Sequence, residues 1–286
     1  MYTNYHSHTS YCDGKEKHEN YIVKAIEKGL LAYGFSSHAP VPFECKWTMK
    51  KSRVGEYLNI IDELKEKYSG QIEIYKSLEV DYIPGMVGPG SNFIKSLNLD
   101  YTIGAIHFID NFEDGDPWNV DGSHLLFLEG VNQLFDNNMK KVVKRYFELM
   151  NEMIVKEDPT IIAHLDKIKT QNPGNKYYHT NEAWYLEEVE KCLEIIKTRD
   201  SIVEVNTRGL YTKKMEELYP NEIILKMIQE RDIPVTVNAD THAPNEIDAG
   251  HEIAYRVLSK IGIKKVSALI NGKWGSYSFN ESGILL

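Results

Sequence analysis

Histidines and carboxylates recur in this 286-residue chain beside short apolar runs. His6-Ser7-His8 follows the opening MYTNY, His38 follows AYGFSS, and Glu79 follows IEIYKSL. His107 ends YTIGAI, His164 ends TIIA, and Asp240-Thr241-His242 ends PVTVNA. Neutral imidazole binds zinc, manganese or iron, and a carboxylate can bridge two such ions. His6 and His8 are two apart, so on a strand both point to one face, about 7 Å apart at the backbone. Asp240 and His242 have the same spacing. Glu79 is the bridging candidate. Gly14 permits a tight return that can aim Asp13 at the same place, although Asp-Gly is also an ordinary turn. Bound ions of this kind make hydroxide from water near neutral pH and hold an anionic group such as a phosphate. Cys12 lies beside this set, where packing is a better reading than thiolate or nucleophilic duty.

The elements that must position these side chains alternate. β-rich runs at 2–6, 32–37, 72–79, 101–107, 160–165, 201–206 and 234–240 predict strands. Amphipathic stretches at 19–29, 53–67, 139–156 and 183–197 predict helices. In the last, Trp184, Leu186, Val189, Leu193 and Ile196 keep helical spacing, and Gly29 stands where a C-terminal cap belongs. Strands alternating with helices imply parallel strands covered by helices. A further run at 265–270 is a possible eighth strand. This is an α/β pattern that suggests a closed or nearly closed (β/α) barrel, with an open doubly wound sheet as the competing layout. A barrel gathers all its strand C-termini on one face. Six of the ten histidines then meet at one mouth. One histidine at a strand end is ordinary; six strands delivering ligand types to one rim form a pattern.

Composition narrows the function classes. Lys+Arg 33 against Asp+Glu 42 leaves a formal net charge of −9, against a general positive field for duplex DNA or anionic membrane. Three scattered cysteines, Cys12, Cys45 and Cys192, fit a reducing compartment better than a disulfide scaffold. No apolar run approaches 18 residues, and the N-terminus lacks a signal pattern, so a cytoplasmic protein is expected. No linker or repeat divides the chain, and residues 1–286 are expected to form a single domain. GxxxxGK[ST] and GxSxG are both absent, which removes support for nucleotide-dependent phosphoryl transfer and serine hydrolysis.

HSHTSYCDG, GFSSHAP, LEVDYIPG, GAIHF, IIAHLD, EVNTRGLY and NADTHAP together resemble the polymerase and histidinol-phosphatase (PHP) superfamily, from about residue 4 to 245. VPFECKWTMK, FEDGDPWNVDGS and NTRGLY resemble its histidinol-phosphatase branch. The resemblance implies a distorted (β/α)7 TIM-like barrel with a trinuclear metal centre of zinc, manganese or iron at the strand C-terminal face. It implies one ion on His6, His8, Glu79 and Asp240, and a second on Glu79, His107 and His164. A third takes Asp13, His38 and His242. Many relatives carry a histidine near Asp13 that is absent or displaced here. His18 is either its substitute or the exposed start of the next helix.

The implied reaction is hydrolysis of the phosphomonoester L-histidinol phosphate, a step of histidine biosynthesis, with a metal-bridged hydroxide as nucleophile. Three carboxylates give about three negative charges against six from three divalent ions, a surplus that suits phosphate. Glu79, Asp240 and His242 are the expected catalytic residues, the last two as candidate proton donors to the leaving group. Arg208, after the one strand without a metal ligand, offers a planar fork to phosphate oxygens. Lys167 and Lys169 are expected to be solvated, although both can face the mouth. A cationic, imidazole-bearing substrate calls for acidic and aromatic walls. Asp110, Glu113, Asp114, Asp116, Trp118 and Asp121 supply one, and Phe43, Glu44 and Trp47 another, with Glu44 and Trp118 as substrate contacts. The competing readings are a phosphodiesterase or exonuclease acting on nucleotides or DNA, and a metal-binding regulatory protein without turnover. The expected partner is a small-molecule phosphate ester, with neither nucleic acid nor membrane.

Overall fold

Apolar segments too short for helices lie between longer amphipathic ones, and they pair in parallel. The computed structural model describes residues 1–286. The strands are β1 (Thr3–Asn4), β2 (Ala32–Phe35), β3 (Glu73–Lys76), β4 (Glu79–Asp81), β5 (Ile103–Ala105), β6 (Phe108–Asn111), β7 (Pro117–Asn119), β8 (Ile161–Ile162), β9 (Ile202–Asn206), β10 (Val235–Asn238), β11 (Lys265–Ile270), β12 (Lys273–Asn280) and β13 (Gly283–Ile284). The helices are α1 (His18–Glu27), α2 (Val54–Lys67), α3 (Asn92–Ser96), α4 (His124–Phe135), α5 (Met139–Glu157), α6 (Ala183–Lys197), α7 (Arg208–Tyr211), α8 (Glu222–Glu230) and α9 (His251–Ile261).

β1, β2 and β3 form one parallel arc, and β4, β5, β8, β9 and β10 form a second. β3 and β4 follow one another through Ser77-Leu78, so the strands occupy seven positions, as expected of a TIM-like α/β fold. The arcs meet at two seams, each a single parallel bridge: Ser7 with Thr241, and His38 with Glu79. At the first seam His8 N donates to Thr241 O (2.7 Å) and Thr241 N to His6 O (3.1 Å). At the second, Ala39 N donates to Glu79 O at 2.8 Å. The ladders break at the seams, which is the distortion.

Each arc has its own helix layer and core. Tyr21 and Ile22 of α1 and Tyr57, Leu58 and Ile61 of α2 pack on Tyr33, Phe35 and Ile74. The larger core sets α5 and α6 against β5, β8 and β9. α5 shows how sequence builds such an element. Val142, Val143, Tyr146, Phe147, Met150, Met153 and Ile154 fall on one helical face and are fully buried, each aliphatic or aromatic side chain stabilising the fold by about 1.5–3 kcal/mol. The Asn138 side chain accepts from Lys141 N at the start, and Asp158, at φ 48°, ends the helix before Pro159. Gly29 follows α1 at φ 69°, as expected of a C-terminal cap.

The 265–270 run is a strand, but not an eighth barrel stave. β11 pairs antiparallel with β12, and β12 with β13. The cause is Asn271-Gly272, whose φ angles of 52° and 69° make the tight primed turn of a two-residue hairpin. This small sheet docks on β1 through Tyr5, whose hydroxyl donates to Leu269 O (3.0 Å) and accepts from Leu269 N (2.9 Å). No helix is long and apolar enough to cross a membrane.

Candidate metal centre

His6 and His8 leave β1 with the strand alternation intact. Ser7 turns away to donate to Gly34 O at 2.8 Å, while the two imidazoles share one face, 5.1 Å apart. Glu79 opens β4, and its carboxylate is the centre of the site. It lies 3.2 Å from His6 Nε2, 3.5 Å from His8 Nε2, 2.9 Å from His38 Nδ1, 3.8 Å from His107 Nε2 and 3.1 Å from His164 Nε2. Asp240 Oδ1 stands 3.3 Å from His8 Nε2 and 3.8 Å from His6 Nε2. Toward the rim, Asp13 lies 3.2 Å from His242 Nε2 and 3.9 Å from His38 Nε2. The nine residues expected as ligands therefore converge.

Three groups bring their ligand atoms within 4.8 Å of one another: His8, Asp13, His38 and His242; His6, His8 and Asp240; and His38, Glu79 and His107. His8 and His38 each fall in two groups. His164 reaches Glu79 but joins none of the three.

The donors fit cations. His6 Nε2, His8 Nε2, His38 Nδ1 and Glu79 Oε2 are buried and have no hydrogen-bond partner, although they approach one another to 2.9–3.5 Å. Buried polar atoms are almost always paired, and leaving one unpaired costs about 1–3 kcal/mol. Lone pairs of nitrogen and carboxylate oxygen aimed at shared space fit divalent cations, with oxygen and nitrogen ligands suited to zinc, manganese or iron. Burial alone favours a protonated Glu79, but the imidazoles of His38, His6 and His107 outweigh it and hold the carboxyl well below the usual range.

Two further carboxylates stand behind the ligands, and the sequence reading missed both. Glu204, buried in β9, accepts four hydrogen bonds. His6 Nδ1 (2.6 Å) and Asn238 Nδ2 (3.1 Å) fill Oε1; His164 N (3.0 Å) and Asn206 Nδ2 (3.0 Å) fill Oε2. Asn206 Nδ2 also donates to Asp240 at 3.2 Å. His164 holds φ 21° and Asp240 φ 52°, positive values that cost about 1–3 kcal/mol each in non-glycine residues unless the surroundings impose them. Asp81 accepts from His107 N at 2.9 Å and Nδ1 at 3.0 Å. Carboxylates in these places fix ring orientation and leave the far nitrogen for a ligand. The available signal was Glu204 itself, a charge inside the apolar strand Ile202–Asn206.

A pocket of about 410 Å³ opens over the centre, lined by Trp47, Asn119, Asp121, Lys167, Arg208 and Lys214 besides the ligands. Arg208 Nη1 donates to Asp240 O at 2.8 Å and to Tyr211 Oη at 3.0 Å. Lys167 is 12% exposed, not solvated, and pairs with Asp121 at 3.3 Å. Asp121 is in turn 3.5 Å from His107. Trp47 stands edge-on to His38, with centroids 4.6 Å apart.

Other expectations fail. Trp118 is 0% exposed, so it contacts no substrate. The β6–β7 hairpin turns its ring inward onto Phe127, over Gly130, where a Cβ would lie 2.2 Å from the indole. Glu44 and Phe43 line a neighbouring groove instead, because the 40–51 loop turns only Trp47 toward the centre. Glu113, Asp114 and Asp116 border a separate cleft, and Asp110 pairs with Arg145 at 3.2 Å. Lys169 is buried. The reading of Cys12 does not fail: burial pushes its thiol up to about 12, against a thiolate role.

His18 is neither a ligand nor exposed. As the first residue of α1 it is enclosed by Tyr11, Phe35 and Tyr57, at centroid distances of 4.7–5.2 Å. Burial, then the nearby Arg53, lowers its pKa to about 3, so it packs as a neutral ring. His18→Leu is expected to leave the metal content unchanged and to shift stability by less than about 1.5 kcal/mol. Elemental analysis and thermal unfolding check this, and loss of an ion would return His18 to the ligand set.

The PHP domain pattern matches residues 4–208 of the chain. The chain is 25% identical over 286 residues to a Schizosaccharomyces pombe protein named "Probable histidinol-phosphatase", covering 95% of this chain and 90% of that one. It is 24% identical over 262 residues to the histidinol-phosphatase of Bacillus subtilis, covering 86% and 96%. The solved histidinol phosphate phosphatase of Lactococcus lactis, in complex with zinc, L-histidinol and phosphate, superposes with a TM-score of 0.68 at 17% identity, over 100% of this chain and 99% of that one.

Proposed function

The chain belongs to the PHP domain family, and from that premise we propose that it hydrolyses L-histidinol phosphate to L-histidinol and phosphate. The observation that carries the proposal is the Glu79 carboxylate, set among five imidazoles beneath a pocket that also presents Arg208 and Lys167. The names of the full-length relatives support the substrate. We treat residues 1–286 as one domain and place the reaction in the cytoplasm, where its three free cysteines stay reduced.

One metal position is assigned to His6, His8, Glu79 and Asp240, a second to Glu79, His107 and His164, and a third to Asp13, His38 and His242. Zinc, manganese or iron held by these residues would supply positive charge for phosphate oxygens and would lower the pKa of a bound water. Arg208 and Lys167 grip the phosphate from two sides of the pocket. Asp121 offers a carboxylate to the substrate's ammonium, and Trp47 offers an aromatic edge to its imidazole. His242 stands on the pocket wall, 3.2 Å from Asp13, as the candidate proton donor to the leaving oxygen. Burial alone would protonate Asp240, but His6, His8 and Arg208 hold its carboxyl well below the usual range, so it serves as a ligand.

The test is phosphate release by metal-loaded protein from L-histidinol phosphate, a sugar phosphate, a mononucleotide, a phosphodiester and single-stranded DNA. Histidinol phosphate is expected to lead in kcat/KM by a hundredfold or more, about 2.7 kcal/mol of transition-state discrimination. Preference for the diester or DNA overturns the substrate assignment.

A further inference from the structure

Lys169 is a loop lysine that is only 1% exposed. Lysines are almost never fully buried unless paired, because stripping water from an ammonium is costly. The ammonium donates to Leu218 O at 2.6 Å and pairs with two carboxylates, Asp166 Oδ2 at 2.8 Å and Glu217 Oε1 at 3.1 Å. The Tyr219 ring lies 4.8 Å from the ammonium.

These contacts join two segments that wall the pocket. Asp166 and Lys169 flank Lys167, on the loop that follows β8 and His164. Leu218 and Glu217 end the segment that leaves β9 at Asn206, carries Arg208 and Lys214 to the pocket, and returns. The segment is tied at its neck, where Asn206 N donates to Tyr219 O (2.7 Å) and Tyr219 N to Asn206 O (3.1 Å). Asp166 Oδ2 accepts a further bond from Asn221 N at 3.1 Å. Tyr219 also lies beneath Lys167, 5.7 Å from its ammonium. Lys169 touches none of the nine converging ligands.

We infer that Lys169 is a positioning residue: paired with Asp166, it locks the 207–219 segment to the loop after β8 and so sets the spacing between Lys167 and Arg208. The inference rests on the reading of this pocket as a phosphate site. An anion held from two sides is bound tightly only when the two cations are fixed in advance, since ordering them on binding subtracts from affinity. Loosening the lock therefore weakens phosphate binding and raises KM more than it lowers kcat, with the metal content unchanged.

Lys169→Met alone leaves Asp166 buried without its partner, a change that can prevent folding. Asp166→Asn combined with Lys169→Met removes both charges and keeps an acceptor for Asn221. Zinc-loaded parent, double variant and Arg208→Ala are titrated with inorganic phosphate by calorimetry, with zinc content and circular dichroism alongside. The double variant is expected to fold, retain zinc and bind phosphate about tenfold more weakly. A phosphate Kd within twofold of the parent, while Arg208→Ala binds poorly, overturns the role of Lys169 alone. If Arg208→Ala also binds phosphate as the parent does, the phosphate reading of the pocket falls, and this inference with it.

Discussion

Glu79→Ala is expected to lower kcat for phosphate release by about 10^3- to 10^4-fold, since ions clamping a phosphate supply several kcal/mol and each 1.4 kcal/mol is tenfold in rate. Five imidazoles approach this one carboxylate within 3.8 Å. Without it Asp240 and Asp13 remain, each facing only part of the ring of histidines. The variant is expected to hold fewer ions per chain and to stay folded, because both arcs keep their helix layers. The Ala39 N to Glu79 O bond uses backbone atoms and survives the substitution. Steady-state kinetics, elemental analysis and circular dichroism on one preparation test this. Activity within tenfold of the parent at full metal content would remove Glu79 from the centre of the proposed chemistry.

Glu204→Gln is expected to weaken metal binding about 10- to 100-fold, the usual cost of losing a group that orients a ligand. The Glu204 carboxylate receives only donors, four of them, from four residues. A glutamine nitrogen must face two of those donors with N–H of its own, costing about 1–3 kcal/mol for buried groups left unpaired. If the nitrogen takes the Oε1 place, His6 loses the acceptor for Nδ1, and its Nε2 is no longer held toward Glu79. If it takes the Oε2 place, the His164 amide loses the bond that holds its backbone at φ 21°. A zinc titration against a coloured chelator measures the change, and thermal unfolding of metal-free protein separates it from general destabilisation. An unchanged zinc Kd in a folded variant would show that Glu204 only fills space.

The ligands were legible in the sequence because strand geometry transmits spacing faithfully. His6 and His8 share a face since Ser7 occupies the other, and each remaining ligand except Asp13, which lies in the loop before α1, stands at or just beyond a strand end. The supporting carboxylates were not, because Glu204 and Asp81 act through bonds to residues 198 and 26 positions away in the chain. Trp118 misled for a related reason. An aromatic among acidic residues reads as a pocket wall, but a local hairpin and the bare Cα of Gly130 admit it to the core. Lys167 and Lys169 sit two apart in one loop, yet one lines the pocket and the other is sealed beneath it. Their partners distinguish them: Asp121 holds Lys167 at the pocket, while Asp166 and the returning 207–219 segment hold Lys169. The Asn271-Gly272 turn was a local signal of the β11–β12 hairpin and was open to reading.

The ligands other than Asp13 stand on or beside strands, while the walls of the pocket come from the 40–51, 108–123 and 207–219 segments and from the loop after β8 that carries Lys167. Residues in those segments can change without moving any of the nine ligands, as loops above a barrel rim generally do. A lineage carrying this architecture is free to explore new substrates by drift in four short stretches, with its set of metal-binding side chains kept in reserve throughout. The chemistry and the choice of what it acts on are inherited on separate parts of the chain.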